Sequence, residues 1–474
     1  MYDLLIRNAV IALPNGKLLE GDLACTQGRI AVIAAQVAGD GREELDAEGK
    51  LLMPGVIDPQ VHFREPGGTD KEDLASGSRA AVRGGVTSFL EMPNCNPATI
   101  DQEQMDWKIS RGEATSVANF GFFIGATVDN LESLNNVHPA CGIKIFMGSS
   151  TGSLLVNEEK DLDRIFGNGE RLIAVHAEDE TRIRERTAAL LGDKETQDYA
   201  IHSSIRDVQT ALIATERALH LSEKYGRRLH ILHLSTAEEV ARLRAGKADQ
   251  VTCEVLPNHL FLNTDDYAAL GSRVQMNPPI RDPQNAEALW AGLHDGVIDI
   301  IATDHAPHLL ADKEKPYPRS PSGMPGVETS LPLMMTAMRE GKCTLTQILR
   351  WMCSGPAELY KIANKGDLVE GFDADLALID IDGTKTVRDE EVFSRTGWSP
   401  FSGRSLTGWP THTIVGVGSY SRKAPSAPGC SGGRSVSALR QTERFCQFFL
   451  SSATHHAGIV SDFTIRTSDK QSAV

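Results

Sequence analysis

The chain has 474 residues, 41% of them hydrophobic and 23% charged, enough to bury a large core without disulfides, which excludes a disordered or fibrous protein. Its 48 Lys and Arg against 63 Asp and Glu leave a net charge of −15, so neither nucleic acid nor an anionic membrane suits it as a partner. Met1 to Arg7 lack the basic start of a leader peptide, and no uninterrupted apolar run reaches the roughly 20 residues of a membrane helix, so a cytoplasmic protein is expected.

Residues 1–50 alternate short apolar runs with Gly and Asn turn signals, as in Leu4-Leu5-Ile6, Val10-Ile11-Ala12 and Ile30-Ala31-Val32-Ile33. That pattern predicts part of a small β-domain. Over residues 51–365 apolar runs recur, each followed by a helix-like stretch: Leu51 to Ile57, Val86 to Glu91, Ile143 to Met147, Leu172 to Val175, Leu229 to Leu234, Val251 to Val255 and Val297 to Ala302. Alternating strand and helix signals over such a length predict an α/β fold, a parallel (β/α)8 TIM-type barrel, with seven of its eight strands countable. Residues 366–416 return to the style of the beginning, so both chain ends are expected to build one small β-sandwich-like domain. Residues 417–474 turn to Ser, Arg and Gly with no sustained period, an atypical tail expected to be disordered. Eight scattered cysteines (Cys25, Cys95, Cys141, Cys253, Cys343, Cys353, Cys430 and Cys446) contain no C-x-x-C pair and fit reduced thiols.

A parallel barrel presents its reactive side chains where the strands end. The first run leads into Asp58-Pro59-Gln60-Val61-His62-Phe63-Arg64, and a lysine, Lys144, interrupts the apolar run Ile143 to Phe146. Later runs end in His176, in His233, and in Asp304-His305-Ala306-Pro307-His308. A lone histidine beside an apolar run is usually a satisfied core residue. Three histidines and an aspartate at the same relative place on different strands converge on one point, and they offer the imidazole nitrogen and carboxylate oxygen that Zn²⁺ takes. Lys144, facing a barrel lumen, must shed its charge, find a counter-charge, or become a carboxylate by carbamylation with CO₂. A surface lysine on an edge strand is its alternative.

Pro54-Gly55-Val56-Ile57-Asp58 with Val61-His62-Phe63-Arg64-Glu65-Pro66-Gly67, then Glu91-Met92-Pro93-Asn94, Gly142-Ile143-Lys144-Ile145-Phe146-Met147-Gly148-Ser149-Ser150-Thr151-Gly152, His230-Ile231-Leu232-His233-Leu234-Ser235-Thr236, Asn277-Pro278-Pro279-Ile280-Arg281 and Asp304 to His308, resemble the dihydroorotase family. These are cyclic amidohydrolases of the amidohydrolase superfamily, and the similarity runs from about residue 1 to about 415. The resemblance implies zinc-dependent, reversible cyclisation of N-carbamoyl-L-aspartate to L-dihydroorotate in pyrimidine synthesis. It assigns His62, His176, His233 and Asp304 to the metal, with one or two Zn²⁺ per chain, and Lys144 to a bridging N6-carboxylated lysine. It gives Asp304 the proton-transfer role, Arg64, Asn94 and His308 the substrate carboxylate, and Asn277 the ring. Dimers are common among such relatives.

The chain departs from the family in two places. Where the first barrel strand usually ends His-x-His it reads Gln60-Val61-His62, and an amide oxygen is a weaker zinc ligand than imidazole. A one-metal enzyme, a two-metal enzyme with a weakened site, and a silent scaffold for an enzyme such as aspartate transcarbamoylase all remain open, as does a hydantoinase or allantoinase with the same metal site. His259 stands alone where relatives often carry a pair, and either supports the ligands from behind or simply packs in the core. Trp409 to Gly416 begins like the family's closing hairpin, and the tail then runs on as a shifted reading frame would, with His455-His456 expected to be solvated. The charged, proline-rich segment Asp312 to Gly323 is either a lid or a solvated loop.

Overall fold

The computed structural model describes residues 1–14, 16–150 and 154–416; Thr151, Gly152 and the whole tail 417–474 lie outside them. Five strands open the chain: β1 (Tyr2–Ala12), β2 (Leu18–Thr26), β3 (Arg29–Ala34), β4 (Gly41–Asp46) and β5 (Leu51–Pro54). β15 (Leu376–Thr386) and β16 (Ser405–Ile414) are the last strands among the described residues, and all seven form one sheet in the order β16-β15-β5-β1-β2-β3, with β4 also on β1. Leu4, Ile6, Ile11 and Leu23 from one end meet Leu52, Leu376, Leu378 and Ile414 in a shared apolar cluster. Segments 2–54 and 376–414 thus bury their apolar faces against each other.

The remaining strands are β6 (Val56–Val61), β7 (Val86–Glu91), β8 (Asn119–Phe122), β9 (Ile124–Gly125), β10 (Ile143–Phe146), β11 (Ile173–His176), β12 (Leu229–Leu234), β13 (Val251–Val255) and β14 (Ile300–Ile301). They pair in parallel as β6-β7-β8 and β9 through β14. Phe123 N donates to Glu91 O (3.0 Å) across the short break between β8 and β9, and His62 N donates to His305 O (2.8 Å), closing the circle. The architecture is an eight-stranded α/β barrel with β8 and β9 as one interrupted third strand, plus a separate sheet.

The third strand was the one missing from the sequence count. Its segment Asn119-Phe120-Gly121-Phe122-Phe123-Ile124-Gly125 carries two glycines and is only four and two residues long where paired, too short and too glycine-rich to read as a strand. The run Leu51 to Ile57 also differs from expectation: β5 pairs with β1 and β15, and β6 starts the barrel after Gly55. A Cβ at Gly55 would lie 2.1 Å from Thr87 Oγ1, so only glycine lets the chain pass from one sheet to the other there.

Outer helices begin with side chains that satisfy their free N–H groups. Asp73, Asp101, Asp179, Asp207 and Thr236 each accept from a backbone N–H in the first turn of their helix. Gly226, at φ 62°, ends Val208–Tyr225 in the left-handed conformation that favours glycine. Inside the barrel, Ile57, Leu90, Phe123, Leu232 and Ile300 form an apolar floor with Leu359 and Tyr360. No helix among the described residues is long and apolar enough to cross a membrane.

Candidate metal centre and active site

Strand alternation aims Lys144 and His176 inward. Ile143 and Ile145, and likewise Ile173 and Val175, belong to the core between barrel and helices, so their neighbours face the lumen. Lys144 is 1% exposed and His176 also 1%. The edge-strand alternative for the lysine is excluded. Burial lowers the Lys144 pKa to about 7 against the pull of Asp304 and Glu254, so much of the side chain is neutral at physiological pH. Its charge is felt at His62, His176 and His233.

His233 reaches the site by a different device. Ile231 and Leu234 both face the outer core, and the pairing of β12 with β13 slips between them. His233 sits there at φ 40°, a left-handed conformation that re-aims its ring inward. Arg64 (φ 62°) and Asp304 (φ 46°) are held in the same unusual region, a cost of order 1–3 kcal/mol each that the surroundings must overcome.

The donors stand as two facing pairs. His62 Nε2 lies 2.9 Å from Asp304 Oδ1, and His176 Nδ1 lies 3.0 Å from His233 Nε2. Among the described residues no three or more His, Cys, Asp and Glu side chains already close around one point. Burial pushes the pKa of His62 and His176 down and that of His233 well down, so all three rings present lone pairs. Asn94 Oδ1 lies 2.7 Å from His62 Nδ1; with the ring proton on Nδ1 and given to Asn94, Nε2 is the atom that offers a lone pair to a cation beside the carboxylate. Two electron-rich atoms about 3 Å apart repel each other, yet this is close to the edge of roughly 3.3 Å between neighbouring ligands of one tetrahedral ion with bonds of about 2.0–2.1 Å. The donor chemistry therefore fits a divalent cation.

Gln60 shares the strand face of His62, and its Nε2 donates to Asp304 Oδ1 at 3.1 Å. Its Oε1 is buried without a hydrogen-bond partner among the described residues. His259 turns Nε2 toward Pro278 O at 3.1 Å, outside both donor pairs, and burial lowers its pKa to about 4. Arg64 donates through Nε to Pro307 O (3.2 Å) and brings Nη2 to 3.2 Å from His308 Nε2. Half-buried Asn277 has Oδ1 3.0 Å from His202 Nε2.

Two polar residues at the site, His202 and Glu178, escaped the sequence reading. His202 (3% exposed) bridges Met276 O, Asn277 and the Tyr317 hydroxyl, but it lies in a helical connection and not at a strand end. Glu178 has Oε2 3.0 Å from His176 Nε2 and also pairs with Arg206. Burial opposes its charge, but Arg206 and His176 together hold the carboxyl down at about 2. An acid two residues beyond a strand-end histidine shares that histidine's face, and this was the available signal. The segment Asp312 to Gly323 is pinned in place: fully buried Lys313 donates to Gln275 O (2.9 Å), Pro321 O (2.8 Å) and Gly323 O (3.0 Å).

The chain belongs to the amidohydrolase family, whose pattern matches residues 51–436. Within it, the chain is 36% identical over 430 residues to the dihydroorotase of Methanosarcina acetivorans, covering 87% of this chain and 91% of that protein. The dihydroorotase of Bacillus subtilis is 33% identical over 87% of this chain and 96% of its own. Among solved structures, the L-hydantoinase (dihydropyrimidinase) of Arthrobacter aurescens superposes with a TM-score of 0.83 at 30% identity, covering 88% of this chain and 95% of that one.

Proposed function

We propose that this chain is a dihydroorotase that interconverts N-carbamoyl-L-aspartate and L-dihydroorotate. The observation that carries the reading is the guanidinium of Arg64 beside His308, close enough to the donor pairs for its charge to act on His62 and for that of Asp304 to act on it. A guanidinium grips a carboxylate with two parallel hydrogen bonds. L-Dihydroorotate bears a carboxylate next to its ring, and an uncharged hydantoin does not. The names of the relatives support the same substrate.

His62, His176, His233 and Asp304 would hold one or two zinc ions, and Lys144, as a carbamate, would add an oxygen donor. A bound divalent ion supplies a Lewis acid and lowers the pKa of water toward about 7. Lys144, with its pKa near 7, has the free amine whose lone pair attacks CO₂, releasing a proton as the carbamate forms. Asp304 accepts a proton from the attacking water and returns it to the departing amide nitrogen. Arg64 and Asn94 hold the substrate carboxylate, His308 stands beside Arg64, and Asn277, fixed by His202, faces the ring. Gln60 ties one Asp304 oxygen, which favours a single ion.

Protein supplied with zinc and bicarbonate should hydrolyse L-dihydroorotate at alkaline pH and form it from N-carbamoyl-L-aspartate at acid pH. Absence of both activities in a folded, zinc-loaded sample overturns the reading. A hydantoinase is the second reading, favoured by the superposition on the L-hydantoinase, and a panel of hydantoins and dihydropyrimidines separates the two. A silent scaffold is disfavoured, because a protein freed from catalysis has no physical reason to keep Lys144, Asp304 and Glu178 buried together.

A further inference from the structure

Glu178 is fully buried (0% exposed) just past the end of β11, two residues beyond His176. Its Oε2 lies 3.0 Å from His176 Nε2 in a bent contact, and Arg206 Nη1 donates to the same oxygen. Among the described residues neither Glu178 Oε1 nor His176 Nε2 has a hydrogen-bond partner, so the two side chains meet as a charge contact. Arg206 also donates to Ser149 O, and Arg281 donates to Arg206 O and, at 3.3 Å, to Ser235 Oγ. One chain of charged contacts thus ties together the segments that follow β10, β11 and β12 and the Arg281 loop.

A carboxylate this buried is costly, and for stability alone an apolar residue of similar volume would serve as well or better. What an apolar residue cannot do is choose a tautomer. A neutral imidazole carries one ring proton, and negative charge beside Nε2 draws it there, leaving the Nδ1 lone pair toward His233 Nε2. Without Glu178 the proton could sit on Nδ1, between the two rings, and block that donor.

We infer that Glu178 is a positioning residue: it fixes the tautomer and ring orientation of His176 for cation binding, and Arg206 and Arg281 anchor it to the neighbouring loops. The inference rests on the reading of His176 as a ligand.

The test is zinc affinity, measured by chelator competition on full-length wild type and on the Glu178→Gln, Glu178→Ala, Glu178→Asp and His176→Ala variants, together with visible spectra after Co²⁺ loading. Expected are zinc binding weakened about 10- to 100-fold in Glu178→Ala, an altered cobalt spectrum in isosteric Glu178→Gln, and partial recovery in Glu178→Asp. A purely structural role would leave the cobalt spectrum of the folded Gln variant unchanged. Zinc affinity and cobalt spectrum both like wild type in Glu178→Gln, with binding lost in His176→Ala, overturn the positioning role alone. Binding unaffected by His176→Ala overturns the ligand reading and this inference with it.

Discussion

Replacing Arg64 with Ala tests the proposed substrate directly. Arg64 is 7% exposed, spends Nε on Pro307 O and sets Nη2 beside His308. Nη1 makes no hydrogen bond among the described residues and, with Nη2, is the edge proposed to take a substrate carboxylate. Two hydrogen bonds to a charged group contribute about 1.5–3 kcal/mol each, so their loss amounts to about 3–6 kcal/mol, or roughly 10²- to 10⁴-fold in kcat/KM at ~1.4 kcal/mol per tenfold. Both Arg and Ala carry a Cβ, so the left-handed backbone at residue 64 strains them alike and does not confound the comparison. The assay is kcat/KM for L-dihydroorotate against an unsubstituted hydantoin and dihydrouracil, with zinc content measured in parallel. The carboxylate-bearing ring should lose the full factor while uncharged rings change by a few-fold. An equal loss across the panel at unchanged zinc content would refute the carboxylate clamp.

Lys108 and Glu91 form an ion pair of 2.5 Å with both side chains 1% exposed. Lys108→Met strands a buried carboxylate and should cost about 3–5 kcal/mol in urea unfolding, most of it recovered in Lys108→Met/Glu91→Gln; no recovery in the double variant would contradict the pairing argument. Glu328, buried and accepting from Phe393 N at 2.8 Å, has its pKa raised by burial from 4.5 to about 7. A raised carboxyl pKa means that the folded state holds the proton more tightly, so this group's contribution is intact below about pH 4.5 and declines as pH rises toward 7. The full penalty is about 3 kcal/mol. Glu328→Gln should therefore melt progressively higher than wild type between pH 5 and 8, and a gap independent of pH would count against the shift. Gln60→His adds an imidazole on the Asp304 side and should raise the zinc bound per chain by elemental analysis; unchanged occupancy would show that Gln60 is not what limits the site.

The barrel and the small sheet were legible because their evidence is periodic. Apolar runs such as Ile143 to Phe146 and Leu229 to Leu234 recur with helices between them, and the strand-end residues followed from parallel topology. Where the period is interrupted the sequence is silent: the two glycines of Asn119 to Gly125 hid a strand, and the turn at Gly55 hid the change of sheet inside one apolar run. His202 was invisible for a related reason, since its role arises from a loop packing back over the barrel mouth against Asn277 and Tyr317.

The placement of the site residues themselves illustrates a limit of reading by alternation. Strict two-residue periodicity would send His233 out with Ile231, and only the slipped pairing and the left-handed backbone turn it inward. Arg64 and Asp304 share that conformation, so three of the residues proposed to carry the chemistry occupy backbone states that bulky side chains avoid. Local sequence preference and site geometry conflict at these positions. The conflict is resolved by what surrounds them: the His62 N to His305 O bond across the barrel seam, the Asp58 carboxylate receiving Thr303 N (3.1 Å), and the Arg64 bond to Pro307 O. Each of these contacts joins segments some 240 residues apart in the chain. The strained conformations therefore depend on barrel closure, and the active geometry is a consequence of the completed fold, not of any strand taken alone.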